Sequence, residues 1–287
     1  MCYLKNQEKP VVRHHNFKRA LSLPMKTKDK STQFSYQYHL QLDTLLSSMR
    51  PITSHPEEHL FLTTHHSLEI WFKHVIFDLS RIIEALDQDK LNQANWLMRR
   101  IGEILKLAEA HWVVLETMSA SDFAEFRGEL TGASGMQSRQ FREVEVMIGL
   151  CETVDEEYSL RVEKLWPGLI NEHPNTLRKA FFGTFERHEK TLLQVYKNRW
   201  DDFQLFELAE NAFELDRRFQ SWRANHILMV RRQIGIKARG TGGTFFEDYL
   251  AKTLKYYFFP ELFEFRNELT VDAGGEVRPE MPSGTKE

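Results

Sequence analysis

The chain has 287 residues, 41% apolar and 28% charged, enough for a substantial core in one large domain or two small ones. A formal net charge of −3 gives no electrostatic case for nucleic acid or an anionic membrane surface, and no apolar run is long enough to span a bilayer or act as a secretory leader. With Cys2 and Cys151 as the only cysteines, a disulfide framework is excluded and a reducing, cytoplasmic setting is expected.

Residues 1–33 carry Lys5, Lys9, Arg13, Lys18, Arg19, Lys26, Lys28 and Lys30 with few apolar anchors, and read as a flexible basic arm. From Phe34 the run F-S-Y-Q-Y-H-L-Q-L-D-T-L-L predicts a short extended piece leading into a helix. Pro51 to Glu58 is a polar break. His55 and His59 within it have the i, i+4 spacing of a helical metal pair. The zinc-protease pattern needs Glu directly after the first His, however, and Pro56 stands there, so a solvated loop is the expectation.

Phe61 to Leu86 predicts a long helix, with Ile70, Phe72, Val75, Ile76, Leu79, Ile82, Ile83 and Leu86 at helical spacing as its core stripe. Asp89 to Met118 predicts a second one, through Leu97, Ile101, Ile104, Leu105, Ala108, Trp112 and Leu115. A fresh start at Ser119 leads to Phe123, Phe126 and Arg127. The turn Thr131–Gly135 then precedes a helical run through Phe141, Val144, Met147 and Leu150. Pro167 and Pro174 cut residues 151–200 into shorter helices. Phe203 to Gly235 is long and helical, and shorter helices are expected at Phe245–Leu254 and Glu261–Glu268. No alternating strand pattern, repeat or linker interrupts this. The expected fold class is all-α, a bundle-like single domain over 34–268 with a disordered tail at 269–287.

The sharpest candidate site lies between Trp222 and Gly243. An apolar helix pattern places Trp222, Leu228, Met229 and Ile234 inside and Arg231 and Arg232 outside, and carries a single histidine, His226. It runs into the glycine cluster Gly235, Gly240, Gly242 and Gly243, whose backbone freedom suits a loop that closes over a ligand. The cluster lacks the Lys-Ser/Thr ending of a P-loop and follows a helix rather than a strand, so a nucleotide cradle is not expected.

Several segments, in order, resemble the tryptophan 2,3-dioxygenase family: F-L-T-T-H-H-S-L-E-I-W-F-K (61–73), W-V-V-L-E-T-M (112–118), F-A-E-F-R-G-E-L-T-G-A-S-G-M-Q-S-R-Q-F-R (123–142), W-R-A-N-H (222–226), G-T-G-G (240–243) and F-F-P-E-L-F (258–263). The resemblance covers roughly residues 34–268. It implies a mostly helical homotetramer enclosing a heme b pocket, active in the ferrous state, that joins O2 to the indole C2–C3 bond of L-tryptophan. His226 matches the proximal iron ligand, and Trp112 a residue beside it that helps orient the imidazole. His65 matches the distal histidine facing the indole N–H, and Phe61 an apolar wall of the substrate pocket. Arg127 matches the partner of the amino-acid carboxylate, a role the planar guanidinium suits through two parallel hydrogen bonds. Ser134 and Thr241 match positions near the heme and the substrate's amino-acid group. Tyr36, His39 and Leu40 fall in a segment that, in the family, a neighbouring subunit contributes to the pocket. The absence of C-x-x-C-H agrees with a heme held without covalent attachment.

Departures cluster around the same pocket. The family's Tyr-Gly-x-Tyr-Leu is Tyr36-Gln37-Tyr38-His39-Leu40 here, His66 stands where Gln is usual, and Asn225 where Arg is common. Ala238 and Arg239 lengthen the loop before Gly240. Two alternatives therefore stay open at this point: a monooxygenase of the same superfamily giving an oxindole from a substituted indole, and a heme-binding sensor without turnover.

Overall fold

Among the residues described by the computed structural model, 35–130, 137–237 and 246–276, every regular element is a helix and no strand occurs. The chain divides into two compact units, residues 1–50 and 51–287.

The first unit contributes two short helices, α1 (Tyr36–Leu40) and α2 (Leu42–Ser47). Phe34, where the expected extended piece begins, lies outside the described residues; from Tyr36 the chain is already helical, because the Ser35 hydroxyl accepts the Tyr38 N–H at 3.2 Å. Gln41, in the left-handed region at φ 52°, breaks the pair, and the Gln37 amide donates to Asp43 Oδ1 at 2.7 Å. No residue of either helix is buried; Tyr36, Tyr38, Leu40, Leu45 and Leu46 are all exposed.

The second unit is built on three long helices, α3 (Glu57–Asp87), α4 (Leu91–Leu115) and α11 (Phe203–Ile234). Glu58 fixes the start of α3. Its buried carboxylate accepts the Ile52 and Thr53 N–H groups and the Thr53 hydroxyl, at 2.8, 2.7 and 2.5 Å. Burial pushes that carboxyl up, but the three bonds outweigh it and hold the group below its ordinary value. His55 lies in the turn so formed, whereas His59 is already in the helix, so the two do not share one loop.

Along α3, Leu68, Phe72, Val75, Leu79, Ile82, Ile83 and Leu86 recur at intervals of three and four and are buried. Full burial of each such side chain stabilises by about 1.5–3 kcal/mol. Ile70, expected in this stripe, is 51% exposed; two residues from both Leu68 and Phe72, it faces the opposite side of the helix.

α4 returns antiparallel to α3, and the fully buried Asp78 joins them by pairing with Arg100 at 3.1 Å, while also pairing with Arg81 of its own helix at 2.8 Å. α11 runs alongside α4 in the same direction. Asn95 donates to the Gln204 carbonyl (3.0 Å) and accepts from Asn211 (3.1 Å), the Ser221 hydroxyl donates to Glu109 (2.8 Å), and Gln233 donates to the Met118 carbonyl (3.0 Å). Leu228, expected inside, is 54% exposed, since the neighbouring Ile227 and Met229 take the core-facing positions.

Shorter helices complete the shell: α5 (Ala120–Phe126), α6 (Arg139–Ile148), α7 (Glu156–Leu165), α8 (Leu169–Glu172), α9 (Leu177–Arg187), α10 (Leu192–Lys197), α12 (Phe246–Thr253) and α13 (Pro260–Asp272). Side-chain caps at Ser119, Ser138, Asp155, Thr176 and Thr191 begin five of them. Gly149 ends α6 at φ 114°, where an added Cβ would lie 2.8 Å from the Arg178 side chain. α13 continues past the expected stop at Glu268 to Asp272, whose carboxylate pairs with Lys197 at 2.9 Å. No helix among the described residues is long and apolar enough to cross a membrane.

Candidate functional site

His65 sits in the third turn of α3. Its Nδ1 lies 2.7 Å from the Phe61 carbonyl, which can only accept, so Nδ1 carries the proton and Nε2 of the neutral ring keeps its lone pair. Burial pushes this imidazole below its usual value, opposed by the Phe61 hydrogen bond and the Glu69 charge. One turn on, Gln140 from α6 grips Glu69 through both its backbone carbonyl (2.8 Å) and its carboxylate (2.7 Å), which holds α3 in place beside His65.

An aromatic wall adjoins this histidine. Phe61 is 4.1 Å from the His65 ring, stacks on Phe123 at 6.0 Å and meets Phe126 edge-on at 6.1 Å. Phe123 and Phe126 come from α5, which Ser119 starts by accepting the Asp122 N–H at 3.0 Å. The helix ends in a 3-10 turn, Arg127–Leu130, and the Arg127 guanidinium lies 5.9 Å from the Phe123 ring centre. Phe61, His65 and Arg127, proposed from widely spaced segments, thus meet at one α3–α5 junction.

His226 approaches from α11. Its ring lies 4.8 Å from Trp112 of α4 and 5.8 Å from Trp222, nearly parallel to the latter at 16°. Burial pushes the His226 imidazole down to about 4, and the charge His65 would carry adds to the effect. Both imidazoles are therefore neutral at pH 7. Both side chains keep partial accessibility.

The indole N–H groups of Trp112 and Trp222 are buried without a partner. Leaving such a donor unsatisfied costs about 1–3 kcal/mol, which marks positions where an acceptor is missing. Among the described residues, the one group of three His and carboxylate side chains with metal-ligand spacing is Glu143, Glu172 and His173. Arg139 already bridges both of its carboxylates. His226 belongs to no such group among the described residues.

Three residues before His226 the environment reverses. Arg223 donates to Glu145 (2.9 Å) and to the Tyr256 carbonyl (2.8 Å); Glu145 also takes Arg142 (2.7 Å) and the Tyr158 hydroxyl (2.6 Å). Asp216, two turns earlier, accepts the Phe258 and Phe259 N–H groups at 2.9 and 2.8 Å and so docks the F-F-P-E-L-F segment. Burial raises the Asp216 carboxyl to about 6 against the opposing pull of those bonds and of Arg223.

Tyr36, His39 and Leu40 lie on α1 in the other unit. Ser134 and Thr241 fall outside the described residues. Two contributors were absent from the expected site: Phe123, four residues before Arg127, and Trp222, four before His226. Both share a helix face with the residue they support, and that spacing is the signal that would have found them.

A family model described as tryptophan 2,3-dioxygenase matches residues 22–173 and 182–269. Curated proteins named tryptophan 2,3-dioxygenase match as well. That of Bacillus thuringiensis subsp. konkukian (strain 97-27) is 31% identical, covering 84% of this chain and 95% of its own length. The protein of Arthrobacter sp. (strain FB24) is 33% identical, over 84% and 94%. That of Serratia proteamaculans (strain 568) is 30% identical, over 84% and 95%.

Proposed function

The chain belongs to the tryptophan 2,3-dioxygenase family, and on that premise we propose that it is a heme-dependent oxygenase adding O2 across the indole C2–C3 bond of L-tryptophan or a close derivative, with an N-formylkynurenine-type product. The observation that carries this reading is the pair of neutral, partly buried histidines from two helices, one backed by indoles and the other by a phenylalanine wall leading to Arg127. The relatives favour this outcome over a one-atom insertion or a carrier without turnover.

The residues fit a heme. A neutral imidazole at His226 offers the lone pair an axial ligand needs, and two orphaned indole N–H groups beside it await an acceptor. Bound there, heme iron supplies the O2 activation that side chains cannot. His226 holds the iron from one side, with Trp112 against its ring. His65, its Nδ1 proton committed to Phe61, offers Nε2 as acceptor to the indole N–H and fixes how the substrate lies. Phe61, Phe123 and Phe126 exclude water and pack the indole. Arg127 takes the amino-acid carboxylate through two parallel hydrogen bonds, which sets the substrate's reach from carboxylate to ring. In this reading Ser134 stands near the heme and Thr241 near the amino-acid group.

The working assembly in this reading is a homotetramer in which a neighbouring copy supplies Tyr36, His39 and Leu40. In support, α1 and α2 bury none of their own residues and present their apolar side chains outward, which a segment this short cannot sustain without a partner. A reducing, cytoplasmic setting suits Cys151, described as a free thiol.

The test is mass spectrometry of the product from ferrous, heme-loaded protein, L-tryptophan and labelled O2. Two labelled atoms in a ring-opened product support the proposal. One labelled atom, formed only with a reductant or a substituted indole, replaces it with monooxygenation. A sound heme spectrum with no product from any indole leaves a sensor.

A further inference from the structure

We propose that Trp222 is a positioning residue for His226, setting the plane of its imidazole from within the same helix while Trp112 bears on it from α4. This rests on His226 being the iron ligand proposed above. The torsion that turns a histidine ring about its Cβ–Cγ bond is soft, so the helix backbone does not fix the ring plane. A hydrogen bond from the second ring nitrogen usually does so in metal-bound histidines. Among the described residues His226 makes none, and its ring contacts are with indoles.

Of the two indoles, Trp222 lies nearly parallel to His226 at 16°, whereas Trp112 is tilted by 34°. Phe141 also packs on Trp222 at 4.9 Å and Phe72 meets it edge-on at 6.4 Å, while Phe141 in turn rests on Phe219 at 6.3 Å. The turn that carries Trp222 is clasped on both flanks. Ser221 and Asn225 both donate to one oxygen of Glu109, and Arg223 is locked to Glu145. Trp222 therefore cannot rotate without displacing the core of α3 and α6, and an imidazole nearly parallel to it, 5.8 Å away between ring centres, meets a fixed surface. Where no described residue hydrogen-bonds the ring, a rigid aromatic surface limits its rotation.

The experiment compares Trp222→Leu, Trp222→Phe and the control Phe181→Leu, a fully buried ring that touches none of the aromatic residues around Trp222, as ferrous, heme-loaded proteins by resonance Raman spectroscopy of the iron–imidazole stretch, with heme release to apomyoglobin as a second reading. Trp222→Leu is expected to split or shift the band and to speed heme loss about tenfold, the effect typical of losing a residue that orients a metal ligand. Trp222→Phe keeps a flat ring and restores a single band. Phe181→Leu lowers the unfolding midpoint and leaves the band in place, which separates positioning from mere packing. If Trp222→Leu does not fold, Phe141→Leu removes a ring packed on Trp222 and is expected to broaden the same band. A native band in Trp222→Leu, or in Phe141→Leu when it stands in, overturns the proposal. A wild-type protein showing no iron–imidazole band with heme overturns instead the His226 assignment beneath it.

Discussion

Arg223 and His226 lie on consecutive turns of one helix, both surrounded by protein, and they are treated in opposite ways. Arg223 meets Glu145 and the Tyr256 carbonyl, and Glu145 meets two further donors, so the charges there are compensated. His226 has two indoles whose N–H groups find nothing. A protein that can satisfy a buried guanidinium within one turn had the means to satisfy an imidazole. The difference teaches that burial alone does not separate a site from a strut: the Arg223 charge is met by the chain itself, whereas the indole N–H groups beside His226 are not.

Substitutions at the two turns can break or sharpen that contrast. The largest expected effect is on His226→Ala, which should lose its Soret band on gel filtration while keeping its far-ultraviolet helical signal; retained heme ligation would end the distinction. Next, Glu145→Leu strands two buried guanidinium groups and should cost about 3–5 kcal/mol in urea unfolding. Any Glu145→Leu protein that remains folded should still ligate heme.

pH separates the same regions. The His226 imidazole sits near 4 when folded against 6.5 unfolded, so in heme-free protein its contribution is full above 6.5 and is lost as pH falls through about 4. Asp216 runs the other way. Raised from 3.8 to about 6, it contributes fully below 3.8 and loses that contribution as pH rises through about 6. Each is worth about 3 kcal/mol. His226→Phe should remove the first slope and Asp216→Asn the second, read from urea midpoints at a series of pH values.

Smaller effects fall on the substrate side. Arg127→Lys keeps the charge but not the fork, and should lower kcat/KM for L-tryptophan about tenfold or more, chiefly through KM. His65→Gln retains an acceptor where Nε2 stands and should cost less than about tenfold in kcat; a loss beyond about a hundredfold would make His65 a general base rather than an acceptor.

The long helices were legible because their cores are written at a spacing of three and four residues, and the start of the short α5 because Ser119 caps as such residues do. Ile70 and Leu228 misled for one reason: hydropathy was read along the sequence, while exposure is decided around the helix axis. In Tyr36–Leu40 the aromatic run masked a helix that Ser35 begins. The site residues were legible through family resemblance rather than periodicity. The Arg223–Glu145–Tyr158 cluster was not legible at all, since charged residues far apart in sequence read as surface until the fold brings them together. Trp222 was read as core, which it is, although its place four residues before His226 puts both on one helix face.

That His65 belongs to α3 and His226 to α11 also bears on how the molecule comes to exist. More than half of the chain lies between them, so the pocket is a contact of high sequence separation, assembled only after α11 has docked along α4. Contacts of that kind carry a large loop-closure cost and form late in folding. A nascent or truncated chain that ends before α11 would hold one wall of the pocket and no proximal ligand. Cofactor capture would then serve as a checkpoint on synthesis, because a chain that takes up heme has already completed its longest-range pairing.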